Sequence, residues 1–242
     1  MKYILALLLI FTAVSAKAEP LKIAVASNFL VTMKQLVAEY QRQHQQAINI
    51  SAASTGKLFV QITHGAPYDL FFSADAKRAD LLVKQGFASH SVEYAIGQLV
   101  YVAKEISAVD CRASLNRKPE KKIAMANPKT APYGLAAKQV LIKLGRWNAL
   151  KSSLVMGENI LQAYQFISTG SAGSGFIAAS IAVNADKLEG YCQWQVPTNL
   201  YSPVQQKMVI LSRAKDNSIA KDFYRFIRSE TAREIIINNG YR

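Results

Sequence analysis

Residues 51–58, SAASTGKL, end like a phosphate-binding loop and are the first stretch of the sequence that suggests chemistry. A nucleotide-binding P-loop needs a glycine five residues before the one that precedes its lysine, and a serine or threonine directly after the lysine. Ser51 and Leu58 occupy those two positions here. The stretch therefore argues against ATP, but its Ser54-Thr55-Gly56 turn before an apolar helical run could still bind another anion.

Three further turns resemble this one, because each precedes the predicted start of a helix. Backbone N–H groups at a helix start lack intrahelical partners and lie at the positive end of the helix dipole, so they favour an anion. A short polar residue there is often only a helix cap. Four such turns in one chain nevertheless indicate a shared site, because ligands of open parallel sheets bind beyond the carboxyl ends of strands. The three turns are Ser27-Asn28-Phe29, Asn127 to Gly134, and Gly157 to Ile160.

Charged side chains are scarce at these turns, where Lys57 and Lys129 are the cations that come near. Neutral donors alone suit a fully ionised oxyanion such as sulfate or molybdate, which carries no proton and needs no acceptor carboxylate. A phosphate site would need such an acceptor, and Glu158 is the acid nearby. The turns therefore predict a small oxyanion ligand, with sulfate, phosphate and a small organic acid as alternatives.

A hydrolase or transferase with Ser27 or Ser54 as nucleophile is the alternative from a different class. The sequence has no GxSxG motif, and His44, His64 and His90 are not beside any of the four turns. A serine without a base is a poor nucleophile. We therefore predict a binding protein without catalytic residues or a resident cofactor. Scattered histidines and the absence of a CxxC motif also argue against a bound metal ion.

Strand and helix signals alternate along the chain, which predicts an α/β fold with parallel-dominated sheets covered by helices. There is no low-complexity linker, so two lobes would be joined by ordered strands, expected at Val100–Lys104 and Gln206–Leu211. The predicted strands are 21–26, 47–53, 68–73, 95–103, 122–126, 173–178 and 206–211. One predicted helix has its apolar face between Leu30 and Tyr40, and another is marked by apolar residues at 58–62. The remaining predicted helices are 76–85, 134–144, 160–168, 218–228 and 229–238.

The N-terminus predicts export. Lys2, the apolar run Tyr3–Val14 and the small-residue site Ala16-Lys17-Ala18 are typical of a secretory signal peptide over residues 1–18, cleaved after Ala18. The apolar run is short for a membrane span. The remaining 224 residues suit two lobes of about 100 residues each.

The two cysteines and the net charge say less about function than the turns do. In an oxidising compartment Cys111 and Cys192 could form a disulfide, or they could remain separate buried thiols. Removal of residues 1–18 leaves 27 basic and 16 acidic residues, a net charge of +11. Such a charge suits nucleic acid, a membrane surface or small anions. The basic residues are dispersed and no basic strand is interleaved with aromatic residues, so we do not expect nucleic-acid binding.

Four stretches in order along the chain resemble the periplasmic molybdate-binding proteins, the solute receptors of ATP-binding-cassette importers. The resemblance implies a two-lobed periplasmic solute-binding fold of type II with two hinge strands. Lobe 1 would comprise residues 19–102 and 206–242, and lobe 2 residues 103–205. It also implies a periplasmic monomer that captures molybdate or tungstate and delivers it to an inner-membrane permease. The stretches are KIAVASNF (22–29), SAASTGKLFVQITHGAPYDLFFSAD (51–75), NPKTAPYGLAAKQVLIKLG (127–145) and GENILQA (157–163).

The resemblance also implies a set of ligand-binding residues and no direct bond to the metal of the oxyanion. Asn28 with Ser27, and Thr55 with Ser54, would donate from side chains and backbone in the first two turns. Tyr133 and Ile160 would donate their backbone N–H groups. Many members supply a tyrosine hydroxyl where this sequence has Ala178, and the phenol of Tyr133 is a candidate to compensate.

Overall fold

The computed structural model describes residues 19–104 and 111–242, and within them it contains two five-stranded sheets packed with helices. The expected signal peptide and its cleavage site lie outside the described residues. In the part of the chain that is described, no helix is long and apolar enough to cross a membrane.

The first sheet has the strand order β2-β1-β3-β10-β4. Its strands β2, β1 and β3 are parallel, whereas β10 runs antiparallel to both β3 and β4. Strand β3 is buried throughout because helices cover both faces of the sheet. The strands are β1 (Leu21–Ala26), β2 (Ile48–Ala53), β3 (Leu70–Ser73), β4 (Val92–Gly97) and β10 (Val204–Ile210); the helices are α1 (Leu30–Tyr40), α2 (Thr55–Thr63), α3 (Ala76–Lys84), α8 (Ser218–Ile227) and α9 (Glu230–Asn238).

The second sheet repeats this arrangement with the order β7-β6-β8-β5-β9. Three strands are again parallel, and β5 is antiparallel to β8 and β9. The two-lobed α/β class is thus confirmed, and each sheet is mixed. The strands are β5 (Leu99–Lys104), β6 (Lys122–Ala126), β7 (Leu154–Gly157), β8 (Ala172–Ala178) and β9 (Tyr191–Gln195); the helices are α4 (Pro132–Lys143), α5 (Trp147–Leu150), α6 (Ile160–Ser168) and α7 (Ala179–Val183).

Most predicted elements lie within two residues of the observed ones, but the single strand over 95–103 is wrong. It is two strands, β4 in the first sheet and β5 in the second, with Gln98 between them. Gly97 and Gln98 are the only residues in this run that are not clearly apolar, and they mark the place where the strand breaks. The chain therefore passes between the sheets near Gln98 and returns between β9 and β10, while Val100–Lys104 and residues 206–210 lie inside sheets. The lobe boundaries themselves stay a prediction.

The structure decides between the two alternatives for the cysteines. Cys111 and Cys192 form a disulfide with their Cα atoms 5.5 Å apart. The bond joins a 3₁₀ turn (Cys111–Asn116) to β9, which adjoins β5 in the second sheet.

Candidate functional site

Each of the four turns begins where a parallel strand ends. The Ser27–Phe29 turn follows β1 and α2 follows β2, and these strands are neighbours with Ala26 opposite Ala53. In the second sheet α4 and α6 follow β6 and β7, with Ala126 opposite Gly157. Each lobe therefore presents two of the turns at one edge of its sheet. Strand β7 was not predicted, because its short, half-exposed sequence LVMG has little periodicity.

Contacts across the cleft bring these two edges together. The Gly56 N–H donates to the Thr130 carbonyl at 2.9 Å, and Arg78 Nη2 donates to the Lys129 carbonyl at 3.1 Å. Helix α6 also packs against the Ser27–Phe29 turn. The lobes are closed over the turns, so all six predicted site residues are at most 5% exposed: Ser27, Asn28, Ser54, Thr55, Tyr133 and Ile160.

Two of the helix starts at the cleft, those of α2 and α4, have no side-chain cap, which is also true of α1, α5 and α7. Ser54 and Ala131 precede α2 and α4 without a capping hydrogen bond from their side chains. Asn159 caps α6 by accepting from the Gln162 N–H, which is the third amide of the helix. This cap does not use the first amide, the N–H of Ile160. Helices α3, α8 and α9 have side-chain caps from Asp75, Asn217 and Ser229. First-turn N–H groups have no intrahelical acceptor, so the cleft holds donors that suit an anion.

The Thr55 hydroxyl fits the expected role. Its oxygen accepts a hydrogen bond from the Ala74 N–H at 3.2 Å. The hydroxyl has one hydrogen of its own to donate. Thr55 is 1% exposed at the start of α2, which makes that hydrogen a candidate donor to a ligand in the cleft.

The Asn28 side chain is arranged differently from the expectation. Its amide nitrogen donates to Gln206 Oε1 at 2.9 Å and to the Tyr241 hydroxyl at 3.1 Å, so both amide hydrogens have acceptors within the protein. The Asn28 carbonyl accepts from the hydroxyls of Tyr241 at 2.8 Å and Ser180 at 3.0 Å. The residue is therefore held rigidly, and what its turn can offer an anion is the backbone N–H together with the Ser27 hydroxyl.

The Tyr133 side chain is 1% exposed, and its phenol reaches Gln206 of the first sheet. Its hydroxyl accepts from Gln206 Nε2 at 3.4 Å, and the Tyr94 hydroxyl donates to Gln206 Oε1 at 3.0 Å. Burial raises the pKa of the hydroxyls of Tyr94, Tyr133 and Tyr241 well above the ordinary value. The phenols stay neutral, and no phenolate repels an anion. That Tyr133 replaces the tyrosine absent at Ala178 stays a prediction.

Four residues of this region were not predicted from the sequence: Tyr94, Ser180, Gln206 and Tyr241. Gln206 carried no clear signal in the sequence, because it stands between Gln205 and Lys207, yet in β10 it is fully buried and needs hydrogen-bond partners. Across residues 19–104 and 111–242, no group of three or more histidine, cysteine or acidic side chains could hold a metal ion.

Comparisons with known proteins agree with this geometry. The molybdate-binding protein ModA of Azotobacter vinelandii is 40% identical over 232 residues, which cover 95% of this chain and 92% of that protein. ModA of Rhodobacter capsulatus is 36% identical over 95% of this chain and 90% of its own length. A solved structure of the periplasmic molybdate-binding protein of Azotobacter vinelandii superposes with a TM-score of 0.85 at 36% identity, covering 92% of this chain and 98% of that one. The model of the bacterial extracellular solute-binding protein family matches residues 21–242, and this chain belongs to that family.

Proposed function

We propose that this protein is a periplasmic receptor that captures molybdate, or the isostructural tungstate, and delivers it to the permease of an ATP-driven importer. The observation that supports this most directly is the cleft itself. Two helix starts from each lobe meet there, and the six residues expected to bind are buried and uncharged. The relatives named for molybdate binding cover nearly the whole chain.

The proposed donors are of two kinds. Ser27, Ser54 and Thr55 offer hydroxyls, while the turns at Asn28, Tyr133 and Ile160 offer backbone N–H groups. Hydrogen bonds to a charged group contribute roughly 1.5–3 kcal/mol each. Micromolar affinity requires about 8 kcal/mol in total. Six or seven such bonds therefore suffice after the costs of closure and desolvation.

Selectivity would come from size, because the donors serve any tetrahedral dianion. Phosphate is disfavoured since it is protonated near neutral pH and needs an acceptor. The nearest acid, Glu158, is an exposed partner of Lys57, with the ammonium nitrogen and carboxylate oxygen 3.6 Å apart.

A serine nucleophile gains no support from the positions of the histidines. His44 lies beside Asp222, His64 follows the end of α2, and His90 contacts Ser89. All three lie away from the helix starts that face the cleft. We accordingly propose a binding protein rather than a hydrolase.

A thermal-shift panel of molybdate, tungstate, sulfate, phosphate and chromate tests the proposal. A ligand that binds only the folded state raises the melting temperature by an amount that grows with the logarithm of its concentration relative to its Kd. We expect molybdate and tungstate to give the largest shifts. A larger shift with sulfate would identify sulfate as the ligand instead of molybdate. No shift with any of the five anions would contradict the proposal.

The location, maturation and oligomeric state are part of the same proposal. We infer cleavage after Ala18, so the N-terminal sequence of protein recovered from the periplasm should begin at Glu19. A size-exclusion measurement should give the mass of one chain.

A further inference from the structure

Gln206 lies fully buried at the centre of a hydrogen-bonded group that we call the Gln206 cluster: Asn28, Tyr94, Tyr133, Gln206 and Tyr241. Its amide oxygen accepts from Asn28 Nδ2 at 2.9 Å and from the Tyr94 hydroxyl at 3.0 Å. Its amide nitrogen donates to the Tyr133 hydroxyl at 3.4 Å. A primary amide offers an acceptor at one end and donors at the other, and Gln206 uses the two ends in different directions.

The cluster joins the two lobes. Tyr94 and Gln206 are in strands of the first sheet, Asn28 lies in the turn after β1, and Tyr241 packs in the core of that sheet. Tyr133 belongs to α4, which packs on the second sheet. A second link runs in parallel, since Ser180 of α7 donates to the Asn28 carbonyl at 3.0 Å. Gln206 thereby connects the turn that presents Asn28 with the start of the helix that presents Tyr133.

Gly97 provides the space for this link. A Cβ atom at position 97 would collide with the Tyr133 hydroxyl and lie 2.8 Å from Gln206 Nε2. Gly97 is also the last residue of β4, directly before the chain passes to the second sheet. The Tyr133 phenol therefore occupies the space that a side chain at position 97 would fill.

We propose that Gln206 is a positioning residue of the anion site, which stabilises the closed form by holding Asn28 and Tyr133 in register across the cleft. This rests on the proposed function, because it assigns to Gln206 the alignment of two backbone donors rather than contact with the anion. The Gln206–Tyr133 bond is the longest in the cluster, which suits a contact that breaks whenever the lobes separate. Loss of the amide should therefore accelerate opening more than it slows capture.

Stopped-flow binding of molybdate to Gln206→Ala tests this, with Gln205→Ala as the matched control. Gln205 is the preceding residue of β10 and is exposed. We expect Gln206→Ala to raise the dissociation rate about tenfold with an association rate within about twofold of the parent, and Gln205→Ala to change neither. Equal rates for the two variants would overturn the proposal.

Tyr133→Phe provides a second arm, because it removes one oxygen and keeps the backbone N–H. We expect it to raise the dissociation rate as well. The double variant should raise that rate by less than the product of the two single fold-changes, since both substitutions remove the same Gln206–Tyr133 hydrogen bond. Additive effects would contradict the proposal. If Gln206→Ala does not fold, Tyr133→Phe alone decides, with an unchanged dissociation rate as the contradicting result.

Hydrogen exchange separates this inference from the proposed function. The Gly56 amide, bonded to Thr130 across the cleft, reports opening without any ligand. The hydrogen of this amide should exchange faster in Gln206→Ala than in Gln205→Ala. A parent protein that binds no oxyanion would refute the proposed function, whereas equal exchange in the two variants would refute the role of Gln206.

Discussion

At the scale of single residues, the site depends on which hydrogens remain available for a ligand. The Thr55 oxygen already accepts from Ala74, which leaves its hydrogen to donate, whereas both amide hydrogens of Asn28 have protein acceptors. Two polar residues at equivalent turns therefore have different roles. Thr55 would donate directly, and Asn28 would act through the shape of its turn.

Replacement of Thr55 by valine should weaken molybdate binding about 10- to 100-fold, because it removes one hydrogen bond to a charged ligand and keeps the side-chain shape. Isothermal titration calorimetry measures the change. Thr63→Val is the control, since Thr63 ends the same helix and donates to the Val60 carbonyl at the surface. Equal affinities for the two variants would remove Thr55 from the site.

The buried phenols predict a loss of stability at alkaline pH. Burial raises the pKa of the hydroxyls of Tyr94, Tyr133 and Tyr241 in the folded protein above the unfolded value of about 10. Below pH 10 both states are protonated and their contribution is fully present. Above pH 10 the unfolded state ionises first, so the free energy of unfolding falls by up to about 1.4 kcal/mol per tyrosine per pH unit.

Urea unfolding of the ligand-free protein between pH 8 and pH 11 measures this dependence. Tyr133→Phe should make the decline shallower, since one of the ionising groups is absent. A decline of the same slope in that variant would show that Tyr133 does not contribute.

At the scale of elements, the cleft combines function with a local cost. Helices α2 and α4 start without the side-chain caps that stabilise α3, α8 and α9. Each missing cap leaves backbone donors for a ligand at the expense of helix stability, typically about 1 kcal/mol. The anion would thus complete the helix starts when it binds.

Ala131→Ser should shift this balance. Ala131 precedes α4 in an extended conformation, φ −118° and ψ 123°, in which a serine can cap the helix. We expect the ligand-free protein to gain about 0.5–1 kcal/mol in denaturant unfolding and molybdate affinity to fall at least several-fold, because the hydroxyl competes for the same N–H groups. Ser229→Ala at the start of α9 is the control and should lower stability without changing affinity. An unchanged affinity in Ala131→Ser would contradict the assignment of this helix start.

The elements also explain how far the sequence could lead. Apolar periodicity and turn residues located most strands and helices, because burial on a helix face or in a parallel strand leaves a regular pattern. The break at Gln98 was overlooked, because the apolar residues on either side of Gly97 and Gln98 read as one strand, although β4 is half-exposed and β5 is buried. The half-exposed strands β7 and β9 were missed for lack of contrast. At the site, local turns contained all six candidates, which the family resemblance then singled out, but the partners of Asn28 lie 178 and 213 residues away and require the tertiary fold.

At the scale of the whole molecule, the covalent and the reversible connections lie in different places. The Cys111–Cys192 disulfide joins residues 81 apart in sequence, and both ends pack with the second sheet. The hydrogen bonds between the lobes are noncovalent and would break if the lobes open. A crosslink within one lobe stabilises the fold without restricting the movement of that lobe against the other.

Replacement of both cysteines by serine should therefore lower the free energy of unfolding by about 2–5 kcal/mol, since the loop entropy of the unfolded chain rises. Molybdate affinity at a temperature where the variant is folded should stay within about threefold of the parent. Denaturant unfolding and calorimetry measure the two quantities. A large loss of affinity in a folded variant would show that the disulfide shapes the cleft.

The contact between Gly56 and Thr130 would bear on the size of the ligand that fits between the lobes. A Cβ at position 56 would lie 2.9 Å from the Thr130 carbonyl oxygen, so the two main chains already meet at van der Waals distance. If the proposed anion binds between these two turns, this backbone contact would limit how closely the two lobes can approach, whatever the side chains around it do. An oxyanion too small to reach both turns would then lose donors from one lobe, so this contact would contribute to the proposed selection by ionic size.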